Sequence, residues 1–188
     1  MIEAAMATAT ALMTAEEFLL MPKGVNKHEL VNGEVIELSP VGRPHGRTQA
    51  RFCMFIGPHV ESDRLGEVFV EVGFTLARNP DVVRAPDVSF VSEEQLLRTP
   101  LEPGFFAGYP DIAVEVVSPG DTIREIEDKV QAYFDAGTRL VWLAYSDRRR
   151  VMVRYPDGRG LMLSGDDVLP GEDVMPGFSV TINDLFGK

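Results

Sequence analysis

The stretch PDIAVEVVSP, Pro110 to Pro119, decides how the rest of the chain is read. Ile112, Val114, Val116 and Val117 fall on both parities of an extended chain, the pattern of a strand covered on both faces. A strong helix signal follows at once. Thr122 and Glu125 make a capping box, Ile123, Ile126, Val130, Tyr133 and Phe134 make an apolar stripe, and Gly137 closes it in the manner of a helix C-cap. RLVWLAY, Arg139 to Tyr145, then reads as a second buried strand. A strand, a helix and a strand in that order return parallel through a right-handed crossover. Glu115 is the anomaly, a carboxylate in the middle of the most apolar strand.

Working outward, EVFVEVGFTLA (67–77) alternates, with Val68, Val70, Val72, Phe74 and Leu76 on one side, and predicts one strand of a half-buried sheet. VVRAPDVSFVS (82–92) predicts a second, with Pro86 at an edge or bulge where its missing N–H is tolerated. From His45 to about Glu61, Phe52, Cys53, Ile56 and Val60 recur at helical spacing, and Pro58 predicts a kink or an early end. The core therefore reads α-β-β-β-α-β. Hairpins flank it: KHELVNGEVIEL turns at Asn32-Gly33, and RVMVRY and GLMLS turn at PDG. Thr14 and Glu17 cap a short helix over Ala15–Met21. The tail, from Asp166, carries turn signals and a last apolar segment that docks on the body. The fold class is α/β with a mixed central sheet, one domain over residues 14–188, preceded by a loose arm over 1–13.

The chain has 188 residues and a formal net charge of −11. That charge withholds the bulk attraction on which non-specific nucleic-acid binding rests. It leaves room for a local basic surface, for which Arg124, Lys129, Arg139 and Arg148–Arg150 are candidates. No apolar run approaches the ~20 residues of a membrane span. The opening residues lack the basic region of a signal peptide. A single cysteine, Cys53, excludes an internal disulfide and a cysteine-rich zinc site, and suits a cytoplasmic protein.

An unpaired buried carboxylate costs several kcal/mol or takes up a proton, and a bound cation reverses that balance. Asp111 lies on the same face of the strand as Glu115 but roughly 13 Å away, too far to share an ion; it reads as structural, capping a turn after Pro110. Asp87 is the better partner, because pairing of its strand with the Glu115 strand brings the two acids together. Two carboxylates with waters and a substrate phosphate suit Mg²⁺. Lys129, at the edge of the helix stripe, leans back over the Glu115 strand, where an ammonium can position water or stabilise a developing anion.

Five segments in this order, HELVNGEVIELSP with His45 beyond it, APDVSFVS, PDIAVEVVSPGD, DKVQAYFDAGTRLVWL and VMVRYPDG, resemble the Uma2 family. That family is placed in the PD-(D/E)XK nuclease superfamily and often labelled as restriction endonucleases. The resemblance implies a restriction-endonuclease-like core and a metal-dependent endonuclease acting on nucleic acid, DNA in the first instance, with Mg²⁺ or Mn²⁺ as cofactor. It assigns Asp87, Glu115 and the Val116 carbonyl to the metal. Val117 occupies the superfamily's lysine position, so the lysine role passes to Lys129. Glu29, ahead of Glu34, stands in for the acid that some members carry on the first core helix, and His45 is a further site candidate. By analogy a homodimer is expected. Two other readings stay open: a nuclease fold kept as a binding or assembly module without catalysis, and a hydrolase of another phosphoester. His28 and His59 read as packing residues, Tyr133 and Trp142 as core, and Arg148–Arg150 as a solvated turn. The loop over 92–110, with PGFFAGYP, is expected to expose Phe105, Phe106 and Tyr109 as an interface or substrate lip.

Overall fold

The computed structural model describes residues 12–187 except 23, 25 and 101. Most of the proposed N-terminal arm lies outside the described residues. Its last residue, Met13, is tied down, donating its N–H to the Gly33 carbonyl at 2.9 Å.

The elements run α1 (Ala15–Leu20), β1 (His28–Val31), β2 (Glu34–Glu37), α2 (Arg43–Asp63), β3 (Gly66–Phe69), β4 (Phe74–Ala77), β5 (Val82–Arg84), β6 (Val88–Ser92), α3 (Glu93–Arg98), β7 (Ile112–Val117), α4 (Ile123–Ala136), β8 (Leu140–Tyr145), β9 (Arg150–Arg154), β10 (Gly160–Ser164), β11 (Val168–Pro170), β12 (Ser179–Thr181) and α5 (Ile182–Phe186). A six-stranded sheet has the order β10-β9-β8-β7-β6-β3, and a four-stranded sheet the order β2-β1-β5-β4. In the larger sheet only β7 and β8 pair in parallel, joined through α4; every other pair is antiparallel. The mixed core read from the sequence is therefore present, with β4 and β5 inserted as a second-sheet hairpin.

Two expected strands are each broken in two. The run 67–77 divides into β3 and β4, and the run 82–92 into β5 and β6. Each half joins a different sheet. The crossing points lie side by side, with Glu71 N–H on the Pro86 carbonyl at 3.2 Å. Glu71 takes a left-handed conformation (φ 57°). Pro86 lacks the N–H a ladder would need. Period alone could not reveal the breaks: Val68, Val70, Val72, Phe74 and Leu76 alternate straight through the first, and β5 and β6 are buried at nearly every position. The break matters for function: it puts Asp87 at a bend between two sheets, not midway along a strand.

α2 covers one face of the larger sheet. His45, Thr48, Phe52, Ile56 and Val60 are its buried side, spaced by three or four residues. Phe52 and Phe178 bracket the fully buried Trp142. The tail closes the same core with Leu169, Met175, Ile182 and Leu185. α2 starts two residues earlier than expected, where Pro44 suits the first turn. It also runs past Pro58, which lies on the exposed side of the helix, as does Met54, the residue whose carbonyl a proline at 58 leaves without its helical donor. α4 covers the opposite face through Val130 and Tyr133, packed on Ala113, Val141 and Leu143. Its predicted caps are in place, the Thr122–Glu125 box and a left-handed Gly137.

The aromatic loop turns inward, contrary to the expected lip. Phe105 stacks on Phe18 at 5.5 Å, and Phe106 packs on Phe74 at 5.1 Å and pairs with it as an isolated bridge. Both rings are half-buried, and the apolar area they remove from water favours this inward packing.

Candidate active site

Odd-numbered residues of β7 face α4 and even-numbered ones face α2, as the two core clusters show. Glu115 therefore points at α4. Position 115 is the fourth of six residues in β7, near its C-terminal end. Lys129 and Tyr133, one turn apart on α4, meet it there. Lys129 Nζ donates to Glu115 Oε2 at 3.2 Å, and the Tyr133 hydroxyl donates to Oε1 at 2.6 Å. Lys129 also reaches Glu29 Oε1 at 3.5 Å. Glu29, on β1 of the other sheet, is only 1% exposed. It accepts from Arg84 Nη1 at 2.7 Å and from the Ala85 N–H at 3.1 Å. The lysine thus bridges two carboxylates that come from different sheets.

Asp87 sits beside this cluster. Its Oδ2 accepts the Val116 N–H at 2.7 Å, and His45 Nε2 lies 3.2 Å from the same oxygen. The backbone carbonyl of Asp87 accepts from Gln49 of α2 at 3.0 Å. β6 pairs with β7 only as far as Val88 opposite Val114. Beyond that point the Asp87 side chain takes the place of the ladder. In extended backbone the N–H and C=O of one residue face the same flank, so the Val116 carbonyl also faces the Asp87 flank.

The structure brings together six of the residues singled out from sequence, Glu29, Glu115 and Lys129 in one group and Asp87, His45 and Val116 in the next, while Glu34, on β2, is exposed. Val117 is apolar packing against the α4-side cluster. Asp111 is structural, accepting the Ser92 N–H at 2.7 Å at the end of β6 rather than capping a turn. Two members were missed. Tyr133 is buried, as expected of core, yet its hydroxyl serves Glu115. Its position four after Lys129 was the available signal. Arg84 interrupts an apolar run just as Glu115 does, and that signal went unused.

The charges of the cluster act on one another. Burial, reinforced by the charges of Asp87 and Glu29, pushes the Glu115 carboxyl up to about 7 against the pull of Lys129 and Tyr133. Glu29, though buried, is held below the usual carboxylate range by Lys129 and Arg84. The Lys129 ammonium is held above its ordinary value by Glu115 and Glu29. Three acids thus face two permanent cations. Among the described residues no three His, Cys, Asp or Glu side chains already converge as a metal cage. The donor chemistry nonetheless suits a hard divalent ion: oxygen ligands, excess negative charge, and an Asp87 Oδ1 that accepts no hydrogen bond among the described residues. Mg²⁺ usually takes only one or two carboxylates from protein, with water and phosphate completing its shell.

The model of the Uma2 family, described as "Putative restriction endonuclease", matches residues 15–183. The chain belongs to the Uma2 family. The site residues all fall inside the matched span. No curated protein matches the chain. A solved structure described as a "putative nuclease belonging to DUF820 from Anabaena variabilis ATCC 29413" superposes with a TM-score of 0.79, covering 93% of this chain and 97% of that one. At 24% sequence identity this likeness establishes the fold alone. Among the described residues, no helix of this Uma2 protein is long and apolar enough to cross a membrane.

Proposed function

We propose that the chain is a metal-dependent endonuclease that hydrolyses phosphodiester bonds in nucleic acid, DNA in the first instance. The observation that carries this reading is the buried Glu115 carboxylate, held by Lys129 and Tyr133 beside Asp87 of the adjoining strand segment. A structural ion pair would need only Glu115 and Lys129. The additional acids leave a deficit of positive charge that a divalent cation and a phosphate-bearing substrate together satisfy.

In this reading Asp87, Glu115 and the Val116 carbonyl hold Mg²⁺ or Mn²⁺. The ion supplies Lewis acidity toward the scissile phosphate and acidifies water at neutral pH. The chain's own residues do the rest. Lys129 stabilises charge developing on the phosphate, in a site dry enough for that charge to matter. Tyr133 fixes the rotamer of Glu115, His45 steadies Asp87, and Glu29 with Arg84 keeps Lys129 charged and aimed. Two strands of a duplex need two such sites, so a homodimer belongs to this reading. The single Cys53 suits a cytoplasmic setting.

A second reading is favoured by one observation, the closed chain of interactions Arg84–Glu29–Lys129–Glu115–Tyr133, which satisfies the acids without an ion. It makes the protein a binding module on a nuclease fold. One experiment separates the two. Purified protein is incubated with supercoiled and linear DNA and with RNA, in Mg²⁺, Mn²⁺ or EDTA. The nuclease reading expects ion-dependent cutting that Glu115→Gln and Asp87→Asn both abolish while melting like the wild type. Ion-dependent cutting that survives both substitutions refutes this site as its source, and no cutting with any substrate leaves the module.

A further inference from the structure

The chain is acidic, with a formal net charge of −11, yet the arginines that lack a carboxylate partner among the described residues are not scattered. Arg78, Arg84, Arg98, Arg124, Arg139, Arg148, Arg154 and Arg159 each have a carboxylate within 4 Å. Among the described residues, Arg43, Arg47, Arg51, Arg64, Arg149 and Arg150 have none. Five of these six occupy one end of the molecule. Arg43, Arg47 and Arg51 are spaced by four along α2 and so share one face. Arg149 and Arg150 close the turn between β8 and β9. The two groups meet at Gly187. Arg149 donates to its carbonyl, and guanidinium atoms of Arg47 and Arg51 come within 3.1 and 4.0 Å of where a side chain on Gly187 would begin. Arg51 also donates to the Leu185 carbonyl at 2.9 Å. These carbonyls hold the cations in place without neutralising them.

The patch is fixed to the candidate active site. α2, which presents these arginines outward, turns His45 inward to within 3.2 Å of Asp87. Thr48 and Ser146 hydroxyls lie 2.9 Å apart, tying α2 to the turn that carries Arg149. Tyr145, just before that turn, stands opposite Val117, two residues beyond Glu115. The arginines therefore gather at the C-terminal end of β7 and β8, the end that carries Glu115 and Asp87.

We propose that Arg43, Arg47, Arg51, Arg149 and Arg150 form the surface that grips the phosphodiester backbone of a nucleic-acid duplex and delivers it to the Asp87–Glu115 site. The planar forks of arginine match phosphate oxygens in pairs, and clustered guanidiniums gain most from a ligand whose charges are themselves closely spaced. That the polyanion is nucleic acid rests on the nuclease reading; the anion-binding surface does not. The acidity of the remaining surface confines the duplex to this end of the protein.

The test uses the Glu115→Gln chain in EDTA, where cutting is excluded, and a fluorescein-labelled DNA duplex followed by anisotropy from about 50 to 200 mM salt. Arg43→Gln with Arg47→Gln removes two arginines for which the described residues show no hydrogen bond, and should weaken binding about ten-fold or more at the low-salt end. It should also lower the slope of log K against log salt by about 1.8, roughly 0.9 for each phosphate no longer neutralised. Arg149→Gln with Arg150→Gln should do the same from the other element. Arg64→Gln, at the far end of α2, should change neither quantity. Double variants that bind like the parent, an equal loss with Arg64→Gln, or binding to anionic lipid vesicles but not to duplex, would each overturn the proposal. A wild type that binds duplex through these arginines but never cuts it in Mn²⁺ would end the nuclease reading and uphold the surface.

Discussion

Lys129 Nζ sits 3.2 Å from Glu115 Oε2, on a helix that follows the strand bearing that acid by only five residues. The proximity is built by short-range connectivity: β7 ends at Val117, Thr122 caps α4, and the second turn of the helix returns over the strand. Glu29 then approaches the same ammonium from a different sheet. Lys129 is consequently the hinge of the site's charge balance.

Replacing Lys129 with Met removes the one cation that, among the described residues, touches both Glu115 and Glu29. Breaking a buried pair while its partner stays charged costs about 3–5 kcal/mol. Glu115 escapes part of that cost by binding a proton, so the loss should be largest above pH 8 and smaller near pH 5. Urea unfolding at the two pH values checks this. Cutting should fall by about a hundred-fold or more if Lys129 acts on the reacting phosphate.

The pH dependence of stability carries its own sign. Glu115 has an ordinary value of 4.5 when unfolded and is pushed up to about 7 in the metal-free fold. A raised value means that the folded chain binds the proton more tightly. The stability Glu115 contributes is then fully present below pH 4.5 and is lost as pH rises through 7. Relative to Glu115→Gln, the wild type should lose on the order of 3 kcal/mol across that window in EDTA. Equal slopes for the two proteins would show that Glu115 ionises normally.

Tyr133→Phe keeps the buried ring and deletes one donor to Glu115. A hydrogen bond to a charged group is worth about 2 kcal/mol, so stability at pH 8 should drop by roughly that amount. The hydroxyl helps hold the Glu115 proton off, and its loss should move the acidic limb of any cutting profile to higher pH. A purely structural tyrosine would lower stability and leave the limb where it was.

Val117 projects to the same face as Glu115 and packs beside α4. If Lys129 supplies the ammonium that the superfamily pattern puts two residues after the acid, Val117→Lys should partly rescue Lys129→Met. Recovery to within about a hundred-fold of wild-type rate would support that exchange. Rescue by Val117→Met, which adds length without charge, would refute it.

Much of this arrangement was legible in the sequence because it depends on local signals. The α4 capping box, the Asn32-Gly33 turn and the lone acid in β7 each act over a few residues. Glu115 stood out because burying a carboxylate is costly anywhere. The division of residues 67–77 and 82–92 between two sheets was not legible. Val68, Val70, Val72, Phe74 and Leu76 alternate straight through the first break, and β5 and β6 are buried at nearly every position, so period marks neither break and only the pairing partners change. Arg84 was overlooked because its partner Glu29 lies 55 residues away in sequence. Tyr133 was assigned to the core correctly but incompletely; periodicity locates its ring and says nothing about its hydroxyl. The arginine patch needed three dimensions, since α2 and the β8–β9 turn are distant in the chain and meet through the Thr48–Ser146 contact and at Gly187.

The central claim is that Asp87 and Glu115 share a divalent cation. Crystals grown in Mn²⁺ near pH 8, with anomalous data collected at the manganese edge, test it most directly. The account predicts a peak within coordinating distance of both carboxylates and the Val116 carbonyl, absent from the Glu115→Gln protein. A map with no such peak, and with the Lys129 ammonium still seated on Glu115 at high Mn²⁺, would contradict it.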